Sequence, residues 1–221
     1  MRKIGVIGAG QMGAGIAQVS AQAGYDVLLR NIDIARAEAG KAGIAKRFKR
    51  AVDGGKLDAV DAETALAKIT PLADLTPFAS CDLVIEAATE REEIKRAIFA
   101  ELGPLLGESA ILATNTSSIP ITRLAQASID PARFIGVHFF NPVPVMALIE
   151  VIRGLATAPE TVRVVETFAR SLGKEVVHAF DAPGFIVNRI LMPLLNEAIF
   201  ALGEGVANVK DIDTAIRLGL N

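Results

Sequence analysis

The 221-residue chain is 51% hydrophobic with a formal charge of −2, a balance that excludes a disordered segment and leaves no basic excess to neutralise a nucleic acid backbone. No uncharged apolar run is long enough to cross a membrane, and the single cysteine, Cys81, can form no internal disulfide. A cytoplasmic protein with one main core and no nucleic acid or membrane partner is expected.

Met1-Arg2-Lys3 and the later Ala21-Gln22-Ala23 imitate a signal peptide, but Gly5, Gly8, Gly10, Gln11 and Gly13 interrupt the apolar stretch between them. That stretch reads better as a strand over Lys3 to Ile7, a glycine turn over Gly8 to Gly13, and an Ala-rich helix over Ala14 to Ala23 closed by Gly24. A second strand, Asp26 to Leu29, precedes a polar helix from about Ile34 to Arg50 that Asp53-Gly54-Gly55 breaks. A helix near Asp61 to Lys68 leads to the short apolar runs Ile69 to Leu72 and Leu83 to Glu86. The helix Glu92 to Leu102 then stops at Gly103-Pro104.

Ala110 to Ala113, Phe134 to His138 and Leu148 to Ile152 are further strand-like runs, with a short helix around Ile121 to Ala125. Thr161 to Leu172 is helical and Glu175 to His178 extended. Strands alternating with helices predict an α/β fold with a doubly wound, mostly parallel sheet of Rossmann type. Asp181-Ala182-Pro183-Gly184 reads as a hinge, after which one long apolar helix, Phe185 to Leu202, is interrupted by Asn188, Arg189 and Pro193. A Gly203-Glu204-Gly205 turn and a helix near Val209 to Leu218 follow. Residues 1–183 are therefore expected to form a dinucleotide-binding domain, and 184–221 the start of an all-helical second domain.

Gly8-Ala9-Gly10-Gln11-Met12-Gly13 is a G-x-G-x-x-G between a strand and a helix. The first glycine permits the turn, the second lets backbone approach a pyrophosphate, and the third lets helix and strand pack. The ribose of such a cofactor is held by an acidic residue near the end of the second strand. Counting from the glycines lands near Asp33, but the strand runs into Arg30-Asn31 and puts Asn31 at the ribose, with Asp33 as the N-cap of the next helix. A bare helix turn is the structural alternative for the glycines.

His138 ends a predicted strand, on the sheet edge where ligands bind, and hydroxyls and an amide follow the neighbouring strand in Thr114-Asn115-Thr116-Ser117-Ser118. An imidazole there is either a satisfied core group or a base for an alcohol proton, and a carboxylate such as Glu150 would orient it for the second task. His178 reads as a surface or structural residue and Cys81 as a small buried one.

The segments G-A-G-Q-M-G, A-T-N-T-S-S, G-V-H-F-F-N-P-V-P-V-M, E-V-I and P-G-F-I-V-N-R, in this order, resemble the L-3-hydroxyacyl-CoA dehydrogenase family, above all its bacterial 3-hydroxybutyryl-CoA members. The resemblance implies NAD as cofactor, an acyl-CoA substrate and a homodimer formed through the helical domain. It implies His138 as general base, Glu150 as its orienting partner, and Ser117 and Asn188 on the substrate oxygen. Glu90, Lys95 and Asn115 would line the nicotinamide and its ribose. Arg50 and Lys56, within a basic region that includes Arg47 and Lys49, would meet the CoA phosphates, although a solvated helix face explains these residues equally.

Two departures accompany it. Asn31 replaces the usual acidic residue and implies weaker discrimination against NADP. The chain also stops at Arg217-Leu218-Gly219-Leu220-Asn221 where the family continues, so a truncated protein is expected, its long apolar helix under-covered. Two rivals stay open: another β-hydroxyacid dehydrogenase, whose acid/base would be a lysine, and a non-catalytic cofactor-binding protein or fragment on the same scaffold.

Overall fold

A computed structural model describes residues 1–220. Eight strands form one sheet in the order β3-β2-β1-β4-β5-β6-β7-β8: β1 Lys3–Ile7, β2 Asp26–Arg30, β3 Ile69–Leu72, β4 Leu83–Glu86, β5 Ile111–Thr114, β6 Phe134–Phe139, β7 Leu148–Arg153 and β8 Glu175–Phe180. All neighbours are parallel except β6 and β7. The loop 140–147 that joins those two is too short to carry the chain back across the sheet, as a parallel connection demands, so the strand must reverse.

Each central strand is apolar on both sides, and its alternate residues feed two separate cores. Leu83 and Ile85 of β4 join one core while Val84 joins the other. The first core takes Ile16 and Val19 of α1 (Gln11–Gln22), Ile44 and Phe48 of α2 (Ile34–Asp53), Ala62 of α3 (Ala59–Ala67) and Phe168 of α6 (Pro159–Ser171). The second takes Phe99 of α4 (Glu92–Leu102) and Leu124 of α5 (Ile121–Ala125). Helices thus cover both faces, as the alternation of elements predicts.

Several boundaries shift for local reasons. Helix α1 starts at Gln11, not Ala14, because Gly10 is its N-cap and the last three residues of the motif are already helical. Helix α6 starts at Pro159, whose fixed φ suits a first turn. Phe185 lies outside α7 (Val187–Gly203), in a left-handed conformation at φ 51° with its ring buried. Pro193 does not interrupt α7, which runs through it; one lost backbone bond is tolerated where both flanks are strongly helical. No residue of α7 or of α8 (Val209–Gly219) is fully buried.

Candidate active site

The chain leaves β1 toward β2 on one side and later returns to β4 on the other, which opens a crevice beyond the carboxyl ends of β1 and β4. Gly8, at φ 103°, makes the turn there, and a Cβ on it would meet the Ala87 carbonyl oxygen at 2.5 Å. A Cβ on Gly13 would lie 1.7 Å from the Gly8 oxygen, whereas one on Gly10 would meet nothing within 4 Å. No side chain caps α1 and no acidic residue occupies its first turn, so its N-terminal dipole faces open space beside Gly10. These features fit a bound pyrophosphate.

The cleft, of about 450 Å³, continues from Gly10, Gln11 and Met12 past Glu90, Asn115 and Ser117 to His138 and Asn188. Most of the residues expected from the sequence therefore converge, although they come from five separate elements and loops. Antiparallel register places His138 directly opposite Glu150, and the imidazole Nδ1 lies 2.7 Å from Glu150 Oε2. The other carboxylate oxygen accepts the backbone N–H groups of Ile186 and Val187, at 3.0 and 2.9 Å, at the start of α7. One buried carboxylate thus orients the histidine and anchors the helix that carries Asn188. With Nδ1 engaged, Nε2 is the ring nitrogen left for a ligand. The rings of Phe140 and Phe185 stand 4.5 and 5.7 Å from the imidazole.

Asn115 Oδ1 accepts the Phe139 N–H at 2.9 Å and ties the end of β5 to the end of β6. Glu90 Oε1 accepts the Thr116 hydroxyl at 2.6 Å, the Ser117 N–H at 2.7 Å and the Ser117 hydroxyl at 3.0 Å. Burial opposes ionisation of Glu90, but those bonds and the Lys95 charge outweigh it and hold its carboxyl below the usual range. Asn188 Nδ2 approaches the Ser117 carbonyl oxygen at 3.4 Å.

Four of the residues expected at the ligand do not line the cleft. Lys95 is fully buried behind the wall, its ammonium 2.6 Å from Glu86 and 3.3 Å from Thr114, because a charge sealed beside the sheet needs a carboxylate more than it needs the surface. Arg50 and Lys56 are exposed at the end of α2 and just beyond it, and neither lines the cleft. Asn31 lies past β2, outside the cleft's lining, with Oδ1 accepting the Ile32 N–H at 2.7 Å. Asp33 caps α2 through the Arg36 N–H, as its N-cap reading requires.

Sequence reading passed over three residues. Glu86 and Thr114 close β4 and β5 and bond each other at 2.8 Å; a charged residue ending an apolar strand was the available signal for Glu86. Asp181, read only as part of a hinge, accepts the Ile121 and Thr122 N–H groups, both at 2.7 Å. His178 is half-exposed near Glu166, and Cys81 is buried with its thiol pushed up to about 12 by desolvation, as expected for residues outside the chemistry.

A doubly wound sheet with a glycine turn at its switch point, and an imidazole–carboxylate pair across the same cleft, defines a dinucleotide-linked oxidoreductase. A family profile described as 3-hydroxyacyl-CoA dehydrogenase, NAD binding domain, matches residues 3–182, and one described as 3-hydroxyacyl-CoA dehydrogenase, C-terminal domain, matches 184–221. The chain belongs to the 3-hydroxyacyl-CoA dehydrogenase family. It is 52% identical to the 3-hydroxybutyryl-CoA dehydrogenase of Bradyrhizobium diazoefficiens, over 99% of this chain and 75% of that protein. A probable 3-hydroxybutyryl-CoA dehydrogenase of Deinococcus radiodurans is also 52% identical, over 99% of this chain and 78% of the relative. The crystal structure of (S)-3-hydroxybutyryl-CoA dehydrogenase from Ralstonia eutropha superposes with a TM-score of 0.97 at 45% identity, covering 100% of this chain and 78% of that one.

Proposed function

We propose that the chain interconverts a short-chain (S)-3-hydroxyacyl-CoA and its 3-ketoacyl-CoA, with 3-hydroxybutyryl-CoA and acetoacetyl-CoA as the pair. The observation that carries this is the His138–Glu150 pair, 2.7 Å apart at the end of the cleft that begins at the glycine turn. Bound NAD supplies the hydride acceptor, and NADH the donor, for C3. In oxidation, His138 Nε2 takes the proton of the C3 hydroxyl while Glu150 stabilises the imidazolium that forms. In reduction, the protonated His138 returns that proton to the oxygen. Ser117 and Asn188 hold the oxygen, and Arg50 and Lys56 meet the CoA phosphates at the surface. No lysine lines the cleft among the described residues, which speaks against the lysine-based β-hydroxyacid dehydrogenases. The reading includes a cytoplasmic setting and a homodimer formed through the segment beyond residue 183; the exposed apolar faces of α7 and α8 support the latter.

The test is to follow NADH oxidation with acetoacetyl-CoA, beside free acetoacetate and beside NADPH. Turnover with the thioester alone is expected. Equal turnover of the free acid would overturn the acyl-CoA assignment, and NADH binding with no turnover would favour a non-catalytic scaffold.

Cofactor choice follows from position 31. An amide there keeps an acceptor for the ribose but lacks the negative charge that repels a 2′-phosphate. The adjacent Arg30 donates its Nε–H to the Ala73 carbonyl oxygen at 3.0 Å. NAD is the cofactor that the family profile names, and Asn31→Asp should raise the NADH-over-NADPH ratio of kcat/KM by about 5- to 30-fold. An unchanged ratio would mean that Asn31 does not meet the ribose.

A further inference from the structure

Behind the cleft wall lies a line of charge that proton transfer by His138 does not require. Glu86 is fully buried: Oε2 accepts the Lys95 ammonium at 2.6 Å and the Thr114 hydroxyl at 2.8 Å, and Oε1 accepts the Ala88 N–H at 2.8 Å. The same ammonium lies 3.9 Å from Glu90 Oε2, whose side chain is 43% exposed and lines the cleft. Lys95 thus stands between a sealed carboxylate and an open one. Packing does not explain the arrangement, because an apolar pair would fill the sealed position without the desolvation cost. Counted together, one ammonium and two carboxylates leave a single negative charge on this wall.

We propose that Glu86, Lys95 and Glu90 form a charge-setting group that makes the cleft prefer the oxidised, positively charged nicotinamide ring over the reduced, neutral one. This rests on the reading that the ring occupies this cleft beside His138. The two forms of the ring differ by one hydride, so their shapes barely distinguish them, whereas their charges differ by a full unit. A negative wall attracts one form and is indifferent to the other. The charge sits in a half-buried setting, where screening is weaker than in water. Lys95 in this account acts by charge across the wall and does not touch the ring. Glu150 is negative too, but His138 and the first N–H groups of α7 engage it, and it is common to every variant below.

The experiment measures dissociation constants for NADH, by fluorescence titration, and for NAD, by its displacement of NADH. Glu90→Gln keeps an acceptor for Thr116 and Ser117 but removes the charge, and should lower the preference for NAD over NADH by about 5- to 30-fold. Glu86→Gln frees the Lys95 charge and should move the preference the same way, by about 2- to 10-fold. The double variant Glu86→Gln with Lys95→Met restores one net negative charge, and its preference should return to within about 2-fold of the parent. A purely structural role would change both constants together and leave their ratio fixed, and that result overturns the proposal. So does a double variant that keeps the shifted ratio of Glu86→Gln. Should the variants at Glu86 fail to fold, Glu90→Gln decides alone by the same criterion. If the parent binds neither form, the placement of the ring fails first and the proposal falls with it.

Discussion

A histidine at the end of an apolar strand is commonly a core group satisfied by backbone, and it is the register of β6 against β7 that pairs His138 with a carboxylate instead. Glu150 lies opposite it, with Oε2 on Nδ1 and Oε1 on the start of α7. His138→Gln should leave NADH binding intact and lower kcat by about 10²-fold or more, the scale on which a general acid or base contributes. Glu150→Gln should lose part of the same effect, and the double variant should lose less than the two effects combined. Near-normal turnover of the His138 variant would remove it from the mechanism. Two glycines of the turn separate folding from binding at the same scale. Gly13→Ala meets the Gly8 oxygen and should destabilise the domain by about 1–3 kcal/mol, the range for overpacking. Gly10→Ala points into open space and should cost about 1 kcal/mol or less as an N-cap change, while weakening NADH binding at least tenfold. Thermal unfolding and NADH titration on both variants check the contrast, and equal binding losses would refute it.

Elements here are held to one another by side chains at their ends. Asp181, just past β8, supplies the cap that α5 lacks locally, since Pro120 precedes that helix and offers its N–H groups no side-chain acceptor. Asp181→Ala should therefore destabilise the protein by about 1–2 kcal/mol in chemical denaturation, as loss of an N-cap does. A change below a few tenths would mean that solvent replaces the cap without cost. The loop between β6 and β7 is held in a comparable way. Lys174, its pKa lowered by burial, donates to the carbonyl oxygens of Val143 and Met146, at 2.8 and 2.7 Å. This keeps the segment that contributes Phe140 and Asn141 to the cleft packed against α1, where Val143 abuts Gly15. Neither anchor could be read from periodicity, because both residues lie outside the apolar patterns that mark helices and strands.

For the whole molecule, the unequal burial of its two parts is the main physical fact. The sheet and its helices enclose two cores, whereas α7 presents Met192, Leu195 and Ile199 at one-face spacing, each about half exposed or more. Exposed apolar stripes of this kind drive association. The 221-residue chain should self-associate at micromolar concentration, and Leu195→Lys with Ile199→Glu should shift it toward monomer in sedimentation velocity. A parent that stays monomeric across that range would show the stripe to be tolerated in water.

Much of this was written in local pattern. The alternation of apolar runs with helices, the glycine motif and the hydroxyl-rich turn after β5 depend on neighbours a few residues apart, so the doubly wound sheet was legible without coordinates, whereas the roles expected of His138, Glu150, Ser117 and Asn188 came from the family resemblance. Tertiary structure alone decided the rest. It reversed β7, because the direction of a strand depends on where its partner's edge lies and not on its own residues. It sealed Lys95 behind the wall, against its expected place in the cleft, because a buried charge is satisfied by whichever carboxylate the fold brings near, and here that is Glu86 from a neighbouring strand end. It also gave Glu150 a second bond to α7, a contact between positions far apart in sequence that no local pattern encodes.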